Sequence, residues 1–134
     1  MFILSSSLTV TRDARYLVKA GLERLCWHFN TEMPVLKWSH GRRRGMCIGN
    51  VIILGPKVDN YLDAMLHSYA HYLANLNHVI IPQERHGIKY LETLWKVVLF
   101  YHKSPTKYSW WEEYQTVFEF GRNRIRSWEA EKWM

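Results

Sequence analysis

Hydrophobic positions set the first outline of the chain. Between residues 11 and 29, Ala14, Leu17, Val18, Leu22, Leu25 and Phe29 recur at the spacing of one helix face. Thr11 is placed to cap that helix, Asp13 falls in its first turn, and Asn30 and Pro34 bracket its end. Val35-Leu36-Lys37-Trp38 has the length of a strand. After the polar loop Ser39-His40-Gly41-Arg42-Arg43-Arg44-Gly45, residues 46–54 form a β-branched run closed by Gly55-Pro56. That run predicts a second strand and, with the first, an antiparallel hairpin.

Residues 59–77 predict the most informative helix. Leu62, Met65, Leu66, Tyr69, Leu73 and Leu76 form one apolar stripe, and at about 100° per residue His67 and His71 point roughly opposite to it. Asn60, Ala64 and Ala74 share the histidine side, a face suited to lining a cleft or to facing water. A loop with Pro82 follows. A further helix is expected over 87–103, with Ile88, Leu91, Trp95, Val98 and Leu99 on one face, ended by Ser104-Pro105. Ser109-Trp110-Trp111-Glu112 has capping-box spacing and opens a last helix with the stripe Trp110, Tyr114, Val117, Phe118, Ile125 and Trp128. The order is helix, two strands, then three helices, which predicts one α+β domain over residues 1–134.

Composition supports a packed core. Of 134 residues, 48% are hydrophobic and 15% aromatic, which excludes a disordered chain. No apolar run approaches the length of a bilayer span, so no membrane partner is expected. The opening Met1-Phe2-Ile3-Leu4 is too short for a signal peptide, and no basic residue precedes it. Cys26 and Cys47 form no CxxC pair and read as two free buried thiols. An intracellular, cytoplasmic protein is the expectation. A net charge of +6 favours acidic partners such as nucleic acid.

Candidate chemistry centres on His67-Ser68-Tyr69-Ala70-His71. Two histidines four apart on a helix can hold a metal ion, but such pairs arise by chance often enough to carry a high false-positive risk. A catalytic zinc site also needs a third protein ligand. His78 lies two turns beyond His71, about 10 Å along the axis, too far to share an ion bound at about 2 Å. His86, just before Gly87, is the candidate.

His67-Ser68-Tyr69-Ala70-His71, fourteen intervening residues, then His86-Gly87-Ile88-Lys89-Tyr90 resembles the SprT-like zincin metallopeptidases. Their pattern is HExxH, a variable loop, then HGxx with an aromatic residue. The preceding glycine- and arginine-rich turn and apolar strand also match, and the likeness is sharp over residues 41–95. The resemblance implies a small zincin-like domain: an N-terminal helix, a β-hairpin, the motif helix and two further helices. It further implies zinc on His67, His71 and His86, and a peptide or protein substrate along the strand 46–54. Two departures stand out. Ser68 occupies the position of the glutamate that acts as general base, and no cysteine follows Cys47 to build the family's zinc ribbon. Acid–base assistance is worth about 10²–10⁴-fold in rate, and a serine hydroxyl does not replace it unless a neighbour activates it. Glu84, two residues before His86, is an alternative base, though no pattern places it there. The expectation is therefore a metallopeptidase-like protein with impaired or lost activity. Its rivals are a degenerate zincin that binds nucleic acid or protein, and a metal-free helical interaction protein.

Arg42, Arg43 and Arg44 form a compact triplet at the expected hairpin tip, suited to phosphate contacts with DNA or simply to a soluble turn. Arg122, Arg124 and Arg126 do not share a helix face and read as solvated charges. If the triplet binds DNA, replacing all three arginines by glutamine lowers the slope of log affinity against log salt by about two to three units. Anisotropy titrations across a salt series measure it, and an unchanged slope leaves the triplet a solvated turn.

Overall fold

The computed structural model describes residues 2–39, 46–55, 60–77, 87–112, 114, 115 and 119. The fold is α+β, as the hydrophobic pattern predicts, and among the described residues it has three helices and a three-stranded sheet where four helices and two strands are expected. Among the described residues no helix is long and apolar enough to cross a membrane.

Helix α1 spans Phe2–Phe29, starting well before the expected cap at Thr11. No glycine or proline interrupts residues 2–20, so nothing local stops the helix at Thr11. Its end follows the chain chemistry. Asn30 adopts a positive φ of 54°, and the Thr31 N–H reaches back to the Cys26 carbonyl at 3.0 Å, the Schellman arrangement. Ala14, Val18, Leu22, Leu25 and Cys26 face the core, whereas Leu17 is half exposed. Leu17 falls about 100° off the centre of that stripe, which is why the periodicity overcounted it.

The sheet differs from the expected hairpin. Strands β1 (Val35–Trp38), β2 (Met46–Ile48) and β3 (Val51–Leu54) lie in the order β1-β3-β2. β1 runs parallel to β3, with Val35 opposite Val51, and β2 pairs antiparallel with β3, with Ile48 opposite Val51. The run 46–54 is thus a hairpin in itself, folded at Gly49-Asn50. Gly49 has a φ of 59°, which glycine adopts freely at the first position of a two-residue turn. That tight turn forces the two halves of the run together, and β1 takes the remaining side of β3. The fully buried Ile52 and Leu54 hold β3 in the middle of the sheet. Both sides of β3 are therefore occupied. Only the three residues of β2 leave an outer edge of the 46–54 segment without a strand among the described residues, so the segment is not the single continuous edge strand expected. The arginine triplet 42–44 lies outside the described residues.

Helix α2 (Tyr61–Asn77) begins behind Asn60, whose Oδ1 accepts the Asp63 N–H at 3.0 Å as an N-cap. Every residue from 63 to 74 is buried, so α2 runs through the interior. α1 packs on one side, where a Cβ on Gly21 would approach Met65 Cε to 2.8 Å, so the glycine lets the helices close up. The Tyr69 hydroxyl and Thr31 Oγ1 share a hydrogen bond of 2.7 Å, and the Tyr72 hydroxyl donates to the Glu32 carbonyl at 2.9 Å. On another side lies α3 (Ile88–His102), which buries Tyr90, Leu94, Trp95, Val97 and Val98 and leaves Leu99 exposed at 38%. Buried Asp63 ties these parts together. Its carboxylate meets His102 Nε2 at 2.7 Å and accepts the Ser109 N–H. Helical residues recur at 111, 112, 114, 115 and 119, within the expected last helix. Both cysteines are buried free thiols, as expected.

Burial pushes up the Tyr69, Tyr72 and Tyr101 hydroxyls from their ordinary value of 10.0, and the Cys26 thiol from 9.0. In the unfolded chain these groups ionise near their ordinary values, while in the fold they hold their protons to higher pH. The unfolded state then binds fewer protons, so stability is full below about pH 9 and falls as pH rises beyond it. Urea titrations between about pH 7 and about pH 11 should show that decline. Tyr69→Phe should cost about 1 kcal/mol at neutral pH and make the alkaline decline shallower.

Candidate functional site

His67 and His71 occupy successive turns of α2, and both are almost wholly buried at 5% and 6% exposure. Their face is closed. Ala64 and Ala74, expected to line a cleft or meet water, are fully buried. An α-helix that is apolar or aromatic-contacting all round belongs in an interior, and here the histidine side packs against α3, Trp110 and Tyr114.

The two imidazole centroids lie 5.0 Å apart at 78°. Tyr90 contacts both. Its hydroxyl lies 3.0 Å from His67 Nδ1 and 3.1 Å from the His67 carbonyl oxygen. Its ring stacks on His71 at 4.0 Å and 18°. Trp110 meets His67 edge to face at 5.7 Å, and Tyr114 closes the same side at 6.3 Å.

Two imidazoles on one tetrahedral zinc, with Zn–N of about 2.0–2.1 Å, hold their ring centroids about 5 Å apart. The pair has that spacing. Histidines one turn apart on any helix approach similarly, so spacing alone does not discriminate. Burial with one ring nitrogen of His67 already engaged by a hydroxyl is the more selective feature, since metal-bound histidines use their second nitrogen in this way. The donor set fits zinc to that extent. Among the described residues no cluster of three His, Cys, Asp or Glu side chains assembles. The expected third ligand His86, and the alternative base Glu84, lie outside the described residues.

Ser68 is fully buried, and its Oγ has no hydrogen-bond partner. It sits two turns after Tyr61, which packs on Trp38 of β1 at 5.7 Å, so Ser68 faces the sheet side of α2. A pocket of about 560 Å³ is lined by Thr106 and Lys107 through Glu112, and its lining residue Trp110 meets His67.

Sequence reasoning missed the role of Tyr90, treating it only as the aromatic of a pattern. Tyr90, Leu94 and Val97 recur at i, i+4 and i+7, a signal that placed Tyr90 on the buried face of α3. Comparison with protein-family models, curated proteins and solved structures finds no match to the chain.

A buried hydroxyl without a partner carries its full desolvation penalty, typically about 1–3 kcal/mol. Ser68→Ala therefore should stabilise the fold by about 1 kcal/mol, helped by the higher helix propensity of alanine. Denaturant midpoints of the two proteins measure it, and a loss of stability would reveal a partner for the hydroxyl.

Proposed function

We propose that this chain is a zinc-binding, metallopeptidase-like domain of the SprT-like kind, with His67, His71 and His86 as ligands and an impaired catalytic centre. The observation that carries the reading is the buried His67–His71 pair, 5.0 Å between centroids on one helix. The His-Gly spacing at His86-Gly87 supports a third ligand, two residues ahead of α3 in the sequence. Zinc held there would supply Lewis-acid polarisation of a substrate carbonyl. The chain's own part is to fix the imidazoles and keep water out. What it lacks is a base: the Ser68 hydroxyl is a poor proton acceptor at neutral pH, and no described group activates it.

A second reading has its own support. Both histidines already contact aromatic rings, and the pair is complete as core packing without metal. On that reading the domain is a binding module, for protein or for nucleic acid through Arg42, Arg43 and Arg44.

Metal analysis of protein purified without a histidine tag separates the two. The zinc reading expects close to one zinc per chain, lost on His67→Ala or His71→Ala. With zinc present, Ser68→Glu should raise peptide hydrolysis about 100-fold at equal occupancy, the usual share of a positioned acid–base group. It should also lower thermal stability, because a carboxylate replaces a fully buried hydroxyl. Turnover is compared with a chelated control for each protein. Zinc binding without hydrolysis in either protein assigns the metal a structural role.

A further inference from the structure

The parallel ladder sorts the backbone of β1 by position. The Val35 N–H donates to the Asn50 carbonyl at 2.8 Å, and the Ser39 N–H to the Leu54 carbonyl at 2.7 Å. With Val35 opposite Val51 and Lys37 opposite Ile53, residues 35, 37 and 39 turn their backbone groups towards β3. Leu36 and Trp38 turn theirs the other way, each offering an N–H and a carbonyl along the outer side of β1. Among the described residues no strand lies on that side and no hydrogen bond reaches these four groups. This edge is the one opposite β2.

The two faces of the edge differ. Leu36 and Trp38 are half-buried on the helix side, where Trp38 meets Tyr61 at 5.7 Å. Val35 and Lys37 are exposed on the other face. The Arg15 guanidinium lies 5.1 Å from the Trp38 ring, so a cation stands on each face. Neither Arg15 nor Lys37 makes an ion pair among the described residues. An open strand edge is a template for another strand, and the side chains it carries decide which strand can join. A second copy of the chain is a poor fit. An antiparallel β1–β1 pairing that uses all four outward groups sets Leu36 opposite Trp38 and Lys37 opposite Lys37, and like charges directly opposite destabilise a pair. An acidic residue in that place turns the repulsion into attraction.

From this geometry we infer that the outer edge of β1 is a docking strand for an extended acidic peptide, with apolar residues beside Leu36 and Trp38 and a carboxylate opposite Lys37. The peptide lies antiparallel and exchanges backbone hydrogen bonds with Leu36 and Trp38. Neither the histidine pair nor the arginine triplet takes part, so the docking strand stands with or without zinc.

The test uses the full chain and a short fluorescein-labelled peptide that alternates glutamate and valine, read by fluorescence anisotropy. In the bound peptide the valine N–H groups face β1 and the glutamate N–H groups face away. N-methylation of the valines should weaken binding about tenfold or more, while N-methylation of the glutamates leaves it unchanged. Lys37→Glu should weaken it about 5–10-fold, and a peptide with lysine in place of glutamate should not bind. Equal effects of the two methylations would overturn the inference, because charge attraction alone does not distinguish one N–H from the next. That comparison uses the unaltered protein and depends on no variant folding. An unchanged affinity in Lys37→Glu, or no binding at about 1 mM peptide, would overturn it too. So would dimerisation of the chain alone at micromolar concentration that Leu36→Pro abolishes by removing an outward N–H, which gives the edge to a second copy.

Discussion

The structure depends on one constraint: α2 is buried all the way round. Twelve consecutive residues, 63–74, are withdrawn from water, so every face of this helix needs a neighbour. The neighbours divide the circumference among them. α1 covers the side of Met65 and Tyr69, β3 brings Ile52 and Leu54 against the sheet side, and α3 with Trp110 and Tyr114 covers the histidines. A surface helix tolerates polar residues on its outer face, whereas an interior helix must find each of them a partner.

That requirement explains how the polar residues of α2 are used. Asp63 receives an imidazole from the end of α3 and a backbone N–H from the following turn, so one carboxylate fixes where two segments sit on α2. Tyr69 reaches Thr31 just past the end of α1, and Tyr72 reaches Glu32 beside it. His67 is met by Tyr90. Each bond joins α2 to a segment distant in sequence, so together they fix one arrangement of the helices where apolar packing alone would tolerate several. Ser68 is the exception, a buried hydroxyl that bonds to nothing. Breaches of local consistency in an otherwise satisfied interior tend to fall where a sequence serves something besides folding.

The same burial decides what was legible in the sequence. The α+β class and the approximate positions of the helices could be read from periodicity, because α1 and α3 each have a buried and an exposed side. α2 misled the reading, since small residues such as Ala64 and Ala74 look like an open face when they in fact admit close-packed neighbours. The sheet topology was misread for a different reason. Gly49-Asn50 is a hairpin turn signal hidden inside a continuous β-branched run, so periodicity pairs β1 antiparallel with the whole run where it runs parallel to the second half alone. Of the expected site, the pairing of His67 with His71 followed from helical spacing. Tyr90's grip on them depends on how two helices meet, which no local pattern encodes.

The closed setting also bears on why a serine sits well at position 68 even with the histidine pair intact. A glutamate there would bring a longer side chain and a charge into a space enclosed by helix and sheet, and a buried charge without a close partner costs far more than an unpaired hydroxyl. Metal bound beside it would supply such a partner; in its absence the glutamate would weigh heavily on the fold and the serine only lightly. The histidines face no comparable penalty. Each imidazole packs among aromatic rings as a core residue, and the Tyr90 contacts stabilise the metal-free fold directly. The imidazole geometry is thus held by packing, while a buried carboxylate at position 68 is what packing alone disfavours.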